Sequence, residues 1–180
     1  MPTLPTAAII GAGSSGIAAA KALHERGVPF TCFEASDRVG GNWVFANKNG
    51  MSAAYQGLHI NTSRERMEYS DFPMPKSYPD FPHHTHIAAY FDSYVDHFGF
   101  RDRVRFETKV AHARRLDGGG WELALDDGTV ERSTRCWWPT ATTGTRAGPS
   151  RCSLATTRSP ASSCTPTATW TTTSSPTRTS

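Results

Sequence analysis

The chain has 180 residues, with 19 Lys+Arg against 16 Asp+Glu for a formal charge of +3, and 4 cysteines. That length suits one domain and leaves two cramped, and so small a charge gives no basis for nucleic-acid binding. With no leader-type segment and no run of 18 apolar residues, a cytoplasmic protein without a membrane segment is expected.

The first organised stretch is a short apolar run, Ala7 to Ile10, followed by Gly11-Ala12-Gly13-Ser14-Ser15-Gly16 and then a helical pattern rich in alanine and leucine. This reads as strand, tight turn and helix. Gly11 permits the turn, Gly13 lets a pyrophosphate approach the backbone, and Gly16 lets the helix pack closely on the strand. Phosphate charge would sit on the free N–H groups of the helix N-terminus. The helix is expected to end at Gly27, and Val28 to Phe33 reads as a second strand ending in Glu34, 18 residues past Gly16. An acid there is placed to grip the ribose hydroxyls of an adenosine. A glycine-rich turn alone would satisfy the Gly-x-Gly-x-x-Gly spacing; the flanking strand, helix and acid together favour a dinucleotide site. An acid rather than a basic residue at that strand end fits NAD or FAD better than NADP. Cys32, inside the second strand, reads as a buried and inert thiol.

Ala35 to Trp43 follows, with a second glycine turn, Gly40-Gly41-Asn42-Trp43. Farther on stand Tyr55, Leu58, Asn61-Thr62-Ser63-Arg64-Glu65-Arg66-Met67, Ser70-Asp71-Phe72-Pro73-Met74-Pro75 and Tyr78-Pro79-Asp80-Phe81-Pro82. An acid ending the second strand, a Gly-Gly-x-Trp turn, and a segment of Asn, Ser, basic residue and Met leading into Asp-Phe-Pro-x-Pro resemble the flavin-containing monooxygenases and their Baeyer-Villiger relatives. The resemblance implies an FAD-binding domain of α/β class: a doubly wound parallel sheet with an inserted antiparallel β-meander. Carried over residue by residue, it implies that Gly11, Ala12, Gly13, Ser14, Ser15 and Gly16 hold the pyrophosphate and Glu34 the ribose. Gly41, Asn42 and Trp43 would make adjoining flavin contacts, and Asn61, as the catalytic-site residue, would lie with Thr62 beside the isoalloxazine ring. Read without the resemblance, Asn61 could equally close an Asx-turn.

His83, His84 and His86 invite a metal reading, but no Cys or acid stands at ligand spacing, and solvated loop residues before a helix are expected instead. The helix is placed at Thr85 to Phe98, with Ile87, Phe91, Tyr94, Val95 and Phe98 as a core stripe and Gly99 closing it. From Val104 to Val110, Trp121 to Leu125 and Thr129 to Glu131 the pattern alternates and reads as the meander, with a turn at Asp126-Asp127-Gly128.

Residues 1–132 carry 14 Lys+Arg and all 16 acids, a net of −2, whereas residues 133–180 carry five arginines and no acid. Of those last 48 positions 24 are Ser or Thr, in a residue set that GC-rich DNA yields when read out of frame. The literal reading is an irregular low-complexity tail. Re-reading each codon one base earlier forces leucine, valine and alanine at positions 137 to 139, because tryptophan has one codon. The same frame permits a buried strand with an Ala-x-Gly turn from Ser133 onward, and FxGxxxHxxxY, the monooxygenase fingerprint, from Ser159 to Thr169. Baeyer-Villiger enzymes end that fingerprint in tryptophan, which the codon of Thr169 cannot supply. A frame change near Arg132 is therefore expected, leaving 1–132 as an FAD-domain fragment without its last strand and 133–180 as an out-of-frame tail.

For the intact protein the resemblance implies NADPH- and O2-dependent oxidation of a nucleophilic nitrogen or sulfur on a small-molecule substrate. The 180 residues contain no second Gly-x-Gly-x-x-Gly and so no NADPH site, and Cys136-Trp137-Trp138-Pro139 puts a proline where a central strand needs a ladder donor, so the chain as written is expected to be unstable and without turnover. A disulfide reductase would need a redox cysteine pair, absent from residues 1–132, and a plain NAD dehydrogenase would need a catalytic domain that the tail cannot form. A non-catalytic FAD-binding fragment and a Baeyer-Villiger enzyme remain as alternatives.

Overall fold

The computed structural model describes residues 6–138, and the expectations for 139–180, the re-read fingerprint among them, lie outside the described residues. In chain order the elements are β1 (Ala7–Ile10), α1 (Ser14–Glu25), β2 (Phe30–Phe33), α2 (Arg64–Met67), α3 (His84–Phe98), β3 (Val104–Arg105), β4 (Val110–Arg115), β5 (Trp121–Leu125), β6 (Val130–Ser133) and β7 (Arg135–Trp137). They build an α/β fold of two sheets: a parallel sheet in the order β3-β2-β1-β7, and an antiparallel meander β4-β5-β6.

β1 is apolar on both faces because both are covered, as in doubly wound sheets. Ala7 and Ile9 turn toward α1 and α3, joining Ile17, Ala20, Ile87, Phe91, Val95 and Phe100 in the larger core. Ala8 and Ile10 turn the other way and meet Phe33 and the meander residues Ala113, Leu123 and Leu125. The meander is also fastened by charge: Arg105 of β3 donates to Glu131 of β6 at 2.6 Å while its guanidinium lies over the Phe33 ring.

The helices end where the sequence places glycine. Gly27 follows α1 at φ +64° and Gly99 follows α3 at φ +69°, a left-handed conformation that glycine adopts without steric cost. β2 begins at Phe30 rather than Val28, since Pro29 has no N–H to give to a sheet; its carbonyl instead accepts from Ala7 N–H at 2.9 Å.

Three expectations are corrected. Val104 and Arg105 belong to the parallel sheet as β3, not to the meander, because Glu107 at φ +50° breaks the alternation before β4 starts. His83, His84 and His86 are not solvated loop residues: His83 caps α3, His84 and His86 lie in its first turn, and His84 is buried.

The strand expected to be missing is present as β7. It forms through backbone pairing, with Thr134 and Arg135 N–H both donating to Thr6 carbonyl and with Ala7, Ala8 and Ile9 opposite Arg135, Cys136 and Trp137. Its side chains do not suit a covered position equally well. Cys136 packs on the meander core, whereas Trp137 and Trp138 remain 49% and 43% exposed.

Phe100 is fully buried and packs its ring near those of His24, Phe30 and Tyr94, closing the end of the core where α3 returns to the sheet. Phe100→Ala is expected to cost about 3 to 5 kcal/mol by emptying that space. The check is a lower urea midpoint with an unchanged m value.

Candidate functional site

The site starts from a steric fact about α1. A Cβ on Gly16 would fall 1.9 Å from the Gly11 carbonyl oxygen, so only glycine lets the helix sit this close to the end of β1. Gly11 itself stands at φ +96° and donates its N–H to Phe33 carbonyl at 2.8 Å, tying the turn to the end of β2. α1 begins after Gly13 without any side-chain cap, so the first N–H groups of the helix, from Ser14 onward, carry no intrahelical bond. An anion is the natural partner for that arrangement.

Glu34 lies at the end of β2 and is 4% exposed. One carboxylate oxygen accepts from Ala12 N–H at 2.6 Å and the other from Ser36 N–H at 2.8 Å. A carboxylate has about four acceptor sites, so both ribose hydroxyls could still be received. Beneath it, Cys32 lends its thiol to the Gly11 carbonyl at 3.6 Å. Burial, with the Glu34 charge second, pushes that thiol up to about 12, which leaves it protonated and unreactive, in keeping with the inert reading.

The second glycine turn closes on the first. Gly40 N–H donates to Ala12 carbonyl at 3.0 Å, and a Cβ on Gly41 would stand 3.1 Å from the Gly13 Cα. Gly41–Trp43 forms a single 3-10 turn, with Trp43 half-buried against the core and the Asn42 carbonyl accepting from Ser52 hydroxyl at 3.2 Å. Gly11, Ala12, Gly13, Ser14, Ser15, Gly16, Glu34 and Gly41 are thus gathered at one end of the sheet. The donor set there, free helix N–H groups, a buried acid and two backbones close enough to exclude side chains, fits an adenine dinucleotide such as FAD.

Asn61 and Thr62 stand apart, exposed on the strip between buried Ile60 and α2. That strip is held by backbone bonds, Ile60 N–H to Pro82 carbonyl at 3.0 Å and Arg64 N–H to Asp80 carbonyl at 2.7 Å. Arg64 adds its guanidinium, which donates to Tyr78 carbonyl at 2.6 Å. One tie from the segment after α2 to the first glycine turn is Tyr69, whose phenol donates to Ser14 carbonyl at 2.6 Å.

Sequence reasoning missed Tyr69, Arg64 and a buried pair, Ser36 and Asn47, whose side chains bond each other beside the Glu34 turn. The basic residue in the Asn-Thr-Ser-Arg segment was a visible signal for Arg64. Nothing local in the sequence marks Asn47.

Residues 5–133 match the family model described as flavin-binding monooxygenase-like. The chain belongs to that family. Flavin-containing monooxygenase 5 of Cavia porcellus is 36% identical over 125 residues, covering 66% of this chain and 24% of the relative. Dimethylaniline monooxygenase (N-oxide-forming) 2 of Macaca mulatta is 34% identical over 132 residues, 70% of this chain and 25% of that protein. The chain thus spans about a quarter of the length of these curated relatives.

Two branches of chemistry appear among the solved structures. S-allyl-L-cysteine S-oxygenase from Allium sativum superposes with a TM-score of 0.68 at 26% identity, over 76% of this chain and 36% of that one. Cyclohexanone monooxygenase from Rhodococcus sp. Phi1, bound to NADP+, also gives 0.68, at 28% identity over 83% of this chain and 28% of that one. Among the described residues, no helix of this family member is long and apolar enough to cross a membrane.

Glu34→Gln keeps the shape but sets an amide N–H against one of two backbone N–H donors. The buried donor left without an acceptor is expected to cost about 1 to 3 kcal/mol, seen as a lower melting temperature before any ligand is added.

Proposed function

We propose that this chain is the flavin-holding part of an NADPH- and O2-dependent monooxygenase that oxidises a nucleophilic nitrogen or sulfur of a small molecule. The observation that carries the proposal is the coincidence, within the family-matched residues, of the uncapped α1 turn, the buried Glu34 and the Gly40-Gly41 turn packed against Gly13.

The Gly11 to Gly16 turn would bind the diphosphate of FAD through its N–H groups, and Glu34 would orient the ribose by accepting from its hydroxyls. Asn42 and Trp43 would steady the adjoining part of the cofactor. When bound, FAD supplies acceptance of hydride from NADPH and activation of O2 for transfer of one oxygen atom. Asn61 and Thr62 would hydrogen-bond on the isoalloxazine side. They are exposed among the described residues, so keeping water from the reactive ring calls for cover from outside them.

Oxidation of nitrogen or sulfur is favoured by the S-oxygenase neighbour and by the codon of Thr169, which in the alternative frame cannot complete a Baeyer-Villiger fingerprint. The cyclohexanone monooxygenase likeness, equal in TM-score, keeps a Baeyer-Villiger enzyme as the second reading. The domain division at residue 132 belongs to the same proposal: 1–132 is FAD-domain sequence, and 133–180 is the same gene read in another frame. β7 supports this, since its backbone pairs with β1 at positions where the alternative frame permits alanine, valine and leucine while the chain carries Arg135, Cys136 and Trp137.

On this reading the 180-residue chain alone is a non-catalytic FAD-binding fragment. Supplied with FAD, the purified chain is expected to leave NADPH unoxidised, and turnover would contradict that. Reading the nucleotides around codon 132 in all three frames is expected to show the fingerprint continuing in a shifted frame; an unbroken gene without it would remove the frame argument.

A further inference from the structure

The peptide unit between Ser14 and Ser15 has two ends, the Ser14 carbonyl and the Ser15 N–H. The Ser15 N–H lies in the first turn of α1, where no intrahelical acceptor exists, at the place proposed above for a diphosphate. The Ser14 carbonyl accepts from the Tyr69 phenol at 2.6 Å, across 55 residues of chain. A donor at the carbonyl end of a peptide polarises it and makes its N–H a stronger donor at the other end.

Tyr69 is held for this task from several sides. Its N–H donates to the Tyr90 hydroxyl at 2.8 Å, and that hydroxyl donates to Phe72 carbonyl at 2.5 Å. Its ring stacks or tilts against Tyr90, Phe91 and Tyr94, with the nearest centroid, that of Tyr94, at 4.5 Å. Burial first, then Tyr94, Tyr90 and Asp71 beside it, lifts the phenol above its ordinary range, so the hydroxyl keeps its proton and remains a donor. Two residues on, Asp71 pairs with Lys21 at 2.5 Å; this fastens the same segment to α1 at a point two turns from the phosphate end.

We propose that Tyr69 is a positioning residue for the cofactor: its hydroxyl, acting through the Ser14–Ser15 peptide, strengthens the grip of the α1 N-terminus on a diphosphate and ties that grip to the strip bearing Asn61. The inference rests on the proposed nucleotide site. It assigns to the hydroxyl a role in binding that its packing role does not require.

The test uses the full 180-residue chain and ADP, which offers diphosphate and ribose without a flavin ring. Calorimetric affinity is compared for wild type, Tyr69→Phe and Asp71→Asn, with melting temperatures and the amide proton shift of Ser15. Tyr69→Phe is expected to bind ADP about fivefold more weakly, the scale of one strengthened hydrogen bond, and to move the Ser15 amide proton upfield. Asp71→Asn, which loosens the same segment, is expected to melt lower yet bind ADP within about twofold of wild type. Equal ADP affinity in Tyr69→Phe, or an equal loss in both variants, would overturn the role of the hydroxyl while leaving the nucleotide site standing. Failure of the wild-type chain to bind ADP would overturn the site itself and this inference with it.

Discussion

One buried carboxylate ties the first glycine turn to the end of β2. Glu34 accepts from Ala12 in the first glycine turn and from Ser36 just past β2, so the ends of β1 and β2 and the start of α1 form one unit. Its own backbone extends the unit: Glu34 N–H donates to Arg105 carbonyl in β3, and Glu34 carbonyl accepts from Thr108. A buried charge survives only where its acceptor capacity is used. Two backbone donors meet part of that need here, and ribose hydroxyls would meet more of it. The same group proposed to receive the ribose therefore also sets the geometry of the turn beside it.

The rest of the fold serves this corner. α3 and the aromatic side chains around Tyr69 press α1 onto the sheet, and the meander covers the opposite face. α1 starts without a capping side chain, which leaves the N–H groups of its first turn available. The strip carrying Asn61 is held at both ends by backbone bonds and by Arg64, yet its own side chains stay exposed. The glycine turn and the residues proposed for the flavin side thus belong to different segments, with Tyr69, just past α2, bonded to Ser14.

The sequence disclosed what short-range chemistry determines. β1, the glycine turn, α1 with its closing glycine, and the acid at the end of β2 all follow from spacing and residue type, and they lie where expected. What it hid depends on partners far along the chain. Alternation from Val104 to Val110 looked like one strand, but Val104 and Arg105 are claimed by β2 through parallel pairing, and the left-handed Glu107 separates them from the meander. The histidines before α3 looked solvated because nothing local shows that Leu58 carbonyl receives the His84 N–H and Gln56 carbonyl meets the His83 ring. β7 escaped for the opposite reason: its side chains argue against a central strand, while pairing with β1 needs only its backbone. Tyr69 was missed altogether, since its partner Ser14 lies 55 positions away.

The central claim is that residues 6–138 already hold an FAD site. Gel filtration of the 180-residue chain after incubation with excess FAD tests it most directly, with circular dichroism confirming that the chain is folded. The account requires flavin absorbance to co-elute with the folded protein in near-equimolar amount. Folded protein eluting colourless, with all flavin in the small-molecule fraction, would contradict it.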